Sequence, residues 1–275
     1  MKKRMKFGLL SAVLIGATAI LVKAYTDTND FNVHIVNMHA EKLPKDAGFS
    51  ILQISDLHNR VFDEDNESLI KAVKQADADL IVLTGDLIDR HTEELDDVFN
   101  LVEHIIAINP AVYYVSGNHE WDNAQTQDFF DGLRARDVEV LDNRNSQVDL
   151  GTLTLNLVGV DDASTGHEDM EQAFAGLDQN PYTILLSHAP GIVNHYENIP
   201  ADLILSGHTH GGQMRLPFIG ALVAPDEGFF PKLDKGVFKM DSDQTLYIDS
   251  GLGTSTIPVR FMNKSQMSLI RITHK

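Results

Sequence analysis

Five of the twelve histidines in this chain fall in short blocks that close apolar runs. The densest block is Ser206-Gly207-His208-Thr209-His210-Gly211-Gly212-Gln213, after the apolar Leu203 to Leu205. Its glycines let the backbone turn tightly or come close to a ligand. Phe49 to Ile54 leads into Ser55-Asp56-Leu57-His58-Asn59, and Leu80 to Leu83 into Thr84-Gly85-Asp86. Val112 to Val115 leads into Ser116-Gly117-Asn118-His119-Glu120, and Thr183 to Leu186 into Ser187-His188-Ala189-Pro190. Neutral imidazole, carboxylate and amide oxygen together suit Mn, Fe or Zn ions. One such residue at a strand end is ordinarily a turn former or a satisfied polar group. Five blocks in succession, each behind a buried-looking strand, read as one site, because ligands of open α/β sheets bind outside the carboxyl ends of the strands.

The elements that must position these blocks follow a rhythm. Helices are expected over Glu67–Ala76, Glu93–Ile108 and Thr126–Arg136. In the second of these, Leu95, Val98, Val102, Ile105 and Ile106 share one face. Phe31 to Met38 reads as a first strand, followed by a turn from Leu43 to Gly48. From Val138 to Val160 the pattern changes to short strands with turns at Asp142-Asn143 and Gly151, and a helix is expected near Asp169–Ala175. Thr245–Ile248 and Met267–Thr273 are late strands. Helices alternating with strands first and hairpins later predict an α/β fold of two packed mixed β-sheets flanked by helices.

Residues 1–24 read as a signal peptide or N-terminal membrane anchor: bases at Lys2, Lys3, Arg4 and Lys6 precede an uncharged apolar run, Phe7 to Val22. Residues 25–48 are expected to be a polar linker (Tyr25 to Asp30) and the first strand, and residues 49–275 the main domain. Bases ahead of the run predict the globular part on the extracytoplasmic side, at the cell membrane or exported. Residues 25–275 carry 17 bases against 40 acids, a net of -23. Such a surface has no nucleic-acid-binding footprint, although bound cations would reverse the field locally. The absence of cysteine excludes disulfides, zinc–thiolate sites and thiol catalysis.

The blocks Asp56-x-His58, Gly85-Asp86, Gly117-Asn118-His119-Glu120, Ser187-His188 and Gly207-His208-x-His210 resemble, in order, the five signature blocks of calcineurin-like metallophosphoesterases. The resemblance runs from about Phe49 to the C-terminus and implies a four-layer αββα sandwich. The apolar N-terminus, the longer Gly207–Gln213 block and the run Asp249-Ser250-Gly251-Leu252-Gly253-Thr254 resemble the membrane-attached bacterial branch, which includes proteins similar to UDP-2,3-diacylglucosamine pyrophosphatases. The chain departs from that branch at Lys264-Ser265-Gln266, where an Arg-Pro-Glu run is common.

What the resemblance implies is a metal-dependent phosphoric ester hydrolase with two divalent ions, Mn, Fe or Zn. One ion would be held by Asp56, His58, Asp86 and His210, the other by Asp86, Asn118, His188 and His208, with Asp86 as the bridge. Such a pair activates a shared hydroxide and clamps the attacking and leaving oxygens of a phosphodiester, pyrophosphate or phosphomonoester. His119 would be a general acid or charge stabiliser at the leaving group, with Glu120 keeping it protonated or oriented. Two other readings stand beside this: a lipid-sugar nucleotide pyrophosphatase, and a non-catalytic metal-stabilised wall or membrane module. Arg260 is a candidate for contacting substrate phosphate. Trp121 reads as a packing residue, and the seven remaining histidines, among them His91, His167 and His195, as surface or structural.

Overall fold

A computed structural model describes residues 2–240, 244–255 and 257–275 of the chain. Helix α1 (Lys2–Asn29) runs on through Tyr25–Asn29, where the sequence reads as a polar linker. The polar side chains there extend the helix instead of ending it. The Thr28 hydroxyl donates to the Ala24 carbonyl at 2.7 Å, the Asn29 amide donates to the Tyr25 carbonyl at 2.8 Å, and Lys23 pairs with Asp27 one turn on. Lys6–Asn29 is long and apolar enough to cross a membrane, by length and composition. Its far end is docked: Asp27 and Thr28 are buried, and the Arg260 backbone N–H donates to the Thr28 hydroxyl at 2.8 Å.

After α1 come strands β1 (Phe31–His39) and β2 (Gly48–Ile54), helix α2 (Glu67–Ala76), β3 (Leu80–Thr84), α3 (Asp96–Ile108) and β4 (Val112–Val115). The chain continues through α4 (Asn118–Trp121), α5 (Thr126–Arg134), β5 (Glu139–Val140), β6 (Arg144–Asp149), β7 (Thr154–Gly159) and α6 (Met170–Ala173). Then follow β8 (Tyr182–Leu186), α7 (Ile192–His195) and β9 (Leu203–Ser206). Two small hairpins come next: β10 (Arg215–Leu216) with β11 (Gly220–Ala221), and β12 (Val223–Ala224) with β13 (Gly228–Phe229). The chain ends with β14 (Gly236–Lys239), β15 (Thr245–Ile248) and β16 (Ser265–Thr273).

The strands make two six-stranded mixed sheets, ordered β1-β16-β2-β3-β4-β5 and β14-β15-β9-β8-β7-β6. Alternating side chains of each central strand serve two cores. In β3, Ile81 and Leu83 pack with Val98, Val102 and Phe129 under the helices, while Leu80 and Val82 face Leu157, Ile184 and Leu205 of the other sheet. The outer face of the second sheet packs Leu185 and Ile204 against Ala173 and Ile192 of α6 and α7. The architecture is therefore helix, sheet, sheet, helix. In the first sheet β2, β3 and β4 run parallel, and in the second β7, β8, β9 and β15 do, so their carboxyl ends share one edge in each sheet.

Candidate metal centre

At that shared edge the backbone turns sharply. Asp56, His58, Asp86, His208 and His210 have φ of 51°, 51°, 52°, 69° and 50°. Left-handed backbone costs a side-chain-bearing residue about 1–3 kcal/mol and collects where surroundings hold it for function. Here it is held by backbone bonds across strand ends: Asp56 N–H to Gly85 O at 3.0 Å, His58 N–H to Asp86 O at 2.9 Å, Gly207 N–H to His188 O at 3.0 Å. Two glycines are required by this crowding. Gly85 has a φ of 80° and its missing Cβ would overlap the His188 ring, and a Cβ at Gly207 would collide with the Ser55 and Asp56 side chains.

The turns bring two groups of donors together. Asp56, His58, Asp86 and His210 each offer an atom within 4.8 Å of the others, and so do Asp86, His188 and His208. Asp86 is common to both, with its Oδ2 3.7 Å from His58 Nε2 and 3.2 Å from His188 Nε2. His58 Nε2 lies 3.1 Å from His210 Nε2, and His210 Nε2 lies 3.5 Å from Asp56 Oδ1. Tautomers are set from outside: His188 Nδ1–H donates to the Thr84 carbonyl at 2.8 Å, leaving Nε2 turned inward. His208 Nε2–H donates to Asp226 at 2.8 Å, leaving Nδ1 3.2 Å from His188 Nε2.

The electrostatics suit cations. Burial drives His58 down to about 3, and burial with the neighbouring His58 and Arg260 holds His210 well below the usual imidazole range, so both are neutral with lone pairs to offer. Burial opposes charge on both partners, yet the Asp86 and Asp56 carboxylates hold His188 well above the usual imidazole range and His188 in turn keeps the Asp86 carboxyl well below its ordinary value, a proton at Nε2 standing where a cation would take its place. Asn118 Oδ1 is buried with no hydrogen-bond partner, an orphaned carbonyl of the kind a cation satisfies. Carboxylate, imidazole and amide oxygen in this arrangement fit a pair of divalent ions, Asn118 completing the Asp86, His188 and His208 group.

The remaining residues separate into those facing the pocket and those behind it. A cavity of about 610 Å³ opens on the site, its lining including Asp86, Asn118, His119, His208 and His210 together with the apolar Met214, Leu222, Val223 and Ile257. His119 stands in it edge-on to His58, ring centroids 4.6 Å apart. Burial chiefly, against the Asp86 charge and helped by Arg90, lowers its basicity. Glu120 does not touch His119. Its carboxylate is fully buried and accepts backbone N–H groups of Asp86, Leu87, Ile88 and Gly117 at 2.6–3.3 Å. Burial and the Asp86 charge push it up to about 8, and those donors pull the other way. The expectation that it keeps His119 protonated or oriented is corrected: consecutive residues on a helix point about 100° apart, and α4 turns Glu120 inward as it turns His119 out.

Arg260 is likewise behind the site. It is wholly buried and donates to the carbonyls of Ser250 and Gly253 at 2.6 Å, with Nη2 3.5 Å from His210 Nδ1. The guanidinium in the cavity is Arg90, which lies 3.3 Å from His119 Nε2 and 3.4 Å from Asp122. Neither Arg90 nor Asp226 is expected from the sequence. Arg90 had a signal, a base four residues past Asp86. Asp226 had none. Trp121 packs, edge-on to Phe130 and stacked on the exposed His167 at 3.9 Å, while His91 and His195 are exposed.

Residues 49–212 match the family model of calcineurin-like phosphoesterases. The chain belongs to that family. Calcineurin-like phosphoesterases similar to it over nearly their whole length include an uncharacterized metallophosphoesterase of Aquifex aeolicus, 30% identical over 94% of this chain and 98% of that one. Another is YkoQ of Bacillus subtilis, also an uncharacterized metallophosphoesterase, 28% identical over 96% and 98% of the two chains. A transmembrane protein with a metallophosphoesterase domain from Danio rerio is 28% identical over 86% of this chain and 56% of its own length. As a calcineurin-like phosphoesterase the protein is a metal-dependent phosphoric ester hydrolase, of a family that uses a dinuclear divalent metal centre.

Proposed function

We propose that the protein hydrolyses a phosphodiester or pyrophosphate, and with less preference a phosphomonoester, at a pair of divalent ions. The observation that carries this is the Asp86 carboxylate standing between two groups of ligand atoms. Asp56, His58, Asp86 and His210 would hold one ion and Asp86, Asn118, His188 and His208 the other. When bound, the ions supply Lewis-acid stabilisation of phosphoryl charge and activation of water. Arg90 meets the phosphate at the cavity wall, where its planar guanidinium matches two phosphate oxygens. His119 faces the leaving group and donates a proton or hydrogen bond there. Asp226, Thr84 and Glu120 fix the ligands and the β3 loop from outside. Manganese, iron and zinc all fit the donor set. With bases ahead of the apolar helix, the catalytic domain lies outside the cytoplasm.

The test is turnover of bis(p-nitrophenyl) phosphate by the full chain, stripped by a strong chelator and reloaded with Mn²⁺. Activity is expected to disappear and return. Turnover that survives complete stripping contradicts the reading.

A further inference from the structure

Next to the cavity the chain points apolar side chains at solvent. Phe218 is fully exposed at the β10–β11 turn with Ile219, and on the next hairpin Phe229 is 82% exposed, followed by Phe230. Exposed apolar clusters of this kind mark surfaces that meet a membrane or a partner. We propose that this face rests on the bilayer that α1 enters, so that the cavity opens at the lipid surface and takes a phosphoester carried by a membrane lipid.

The bilayer is the occupant because α1 brings the face to it. The helix is unbroken from its apolar stretch to Asn29, and Thr28 is bonded to Arg260. Val22 ends the apolar run six positions before Thr28, about 9 Å along the helix at about 1.5 Å per residue. The domain therefore has no slack with which to stand off. The segment it presents first is the one around Arg260, where Ile257, Val259 and Met262 are exposed. The hairpins hang from that same segment: Arg215 N–H donates to Phe261 O at 2.9 Å, and Phe261 N–H to Gln213 O at 3.1 Å.

Charge agrees. Residues 213–235 hold three bases (Arg215, Lys232, Lys235) and three acids (Asp226, Glu227, Asp234), a neutral patch on a domain that is otherwise strongly acidic. Such a patch is the part of the molecule an anionic lipid surface repels least. The cavity wall formed by Met214, Leu222, Val223 and Ile257 continues this face inward, giving an acyl chain apolar cover while the phosphate reaches Asp86 and His119.

The statement about substrate rests on the hydrolase reading above; the statement about docking does not, and the experiment separates them. The natural chain has no cysteine, so Phe218→Cys, Phe229→Cys and, at the opposite end of β8, Asn180→Cys each accept a single nitroxide label. The full-length protein is reconstituted in phosphatidylglycerol–phosphatidylcholine nanodiscs. Labels at 218 and 229 are expected to relax with oxygen more than with a water-soluble nickel chelate, and the label at 180 the reverse. Water-like behaviour at 218 and 229 overturns the docking, as does shielding from both reagents, which reports a second protein copy.

In the same nanodiscs, a Phe218→Ser/Phe229→Ser variant is expected to hydrolyse soluble methyl p-nitrophenyl phosphate normally. It should lose at least about tenfold on the p-nitrophenyl ester of phosphatidic acid, since the two rings no longer bury apolar surface in the lipid. Equal losses on both esters, or none on the lipid ester, overturn the substrate assignment. Wild-type protein inert on both esters contradicts the hydrolase reading, and the label depths then decide the docking alone.

Discussion

His119 and Arg90 line the cavity beside the proposed metal ligands, and their substitution is expected to leave those ligands in place. His119→Ala should retain its metal and lose about 10²–10⁴-fold in kcat on an alkyl phosphodiester, whose alkoxide needs a proton. The loss should shrink on a nitrophenyl ester, which leaves without one. Equal losses on both esters would limit His119 to phosphoryl positioning. Arg90→Ala should lower kcat/KM by about tenfold or more, the worth of a charge-assisted hydrogen bond, with Tm unchanged. Arg260→Leu should do the opposite. It leaves the Ser250 and Gly253 carbonyls unpaired in the interior, at a cost of at least about 2 kcal/mol, read as a lower denaturation midpoint. The two arginines show where sequence stops being informative. Arg90 follows the Asp86 block and Arg260 follows the Asp249–Thr254 run, and only packing tells the one that lines the cavity from the one that braces His210.

The strand ends carry the site because each goes directly from extended to left-handed backbone, and this much was legible: an apolar run, a glycine or serine, then a ligand. The parallel pairing that puts those ends on one edge follows from the alternation of helices and strands. The pairing of β1 with β16 does not, since the partners are more than 200 residues apart and neither carries a mark of the other. The polar end of α1 read as linker because threonine and asparagine favour turns, yet here their side chains bond back along the helix. The hairpins from Arg215 to Phe229 are two residues per strand, too short for any periodicity to register. Glu120 is the brace of this edge. Glu120→Gln puts an amide NH2 with two donors where a carboxyl oxygen now accepts backbone N–H groups. We expect a loss of about 1–3 kcal/mol in stability together with weaker metal retention, measured by denaturation and by elemental analysis after dialysis. Unchanged stability would mean that the β3 loop is held by its backbone bonds alone.

A strongly acidic domain on a basic, apolar helix has two ends suited to two sides of a membrane. Protease added to intact protoplasts should digest the globular part and spare the helix; full protection would place the domain in the cytosol. The acid excess also means that the anionic phosphate substrate is attracted only where bound cations reverse the field, so the metal centre governs binding as well as chemistry. That centre is the claim on which the rest depends, and metal content per chain tests it most directly. Elemental analysis of wild type, His58→Ala and Asp86→Ala should give about two, about one and close to no ions, because Asp86 serves both groups and screens their mutual repulsion. An Asp86→Ala protein that keeps the wild-type complement of metal would contradict the bridging carboxylate and the two-ion centre built on it.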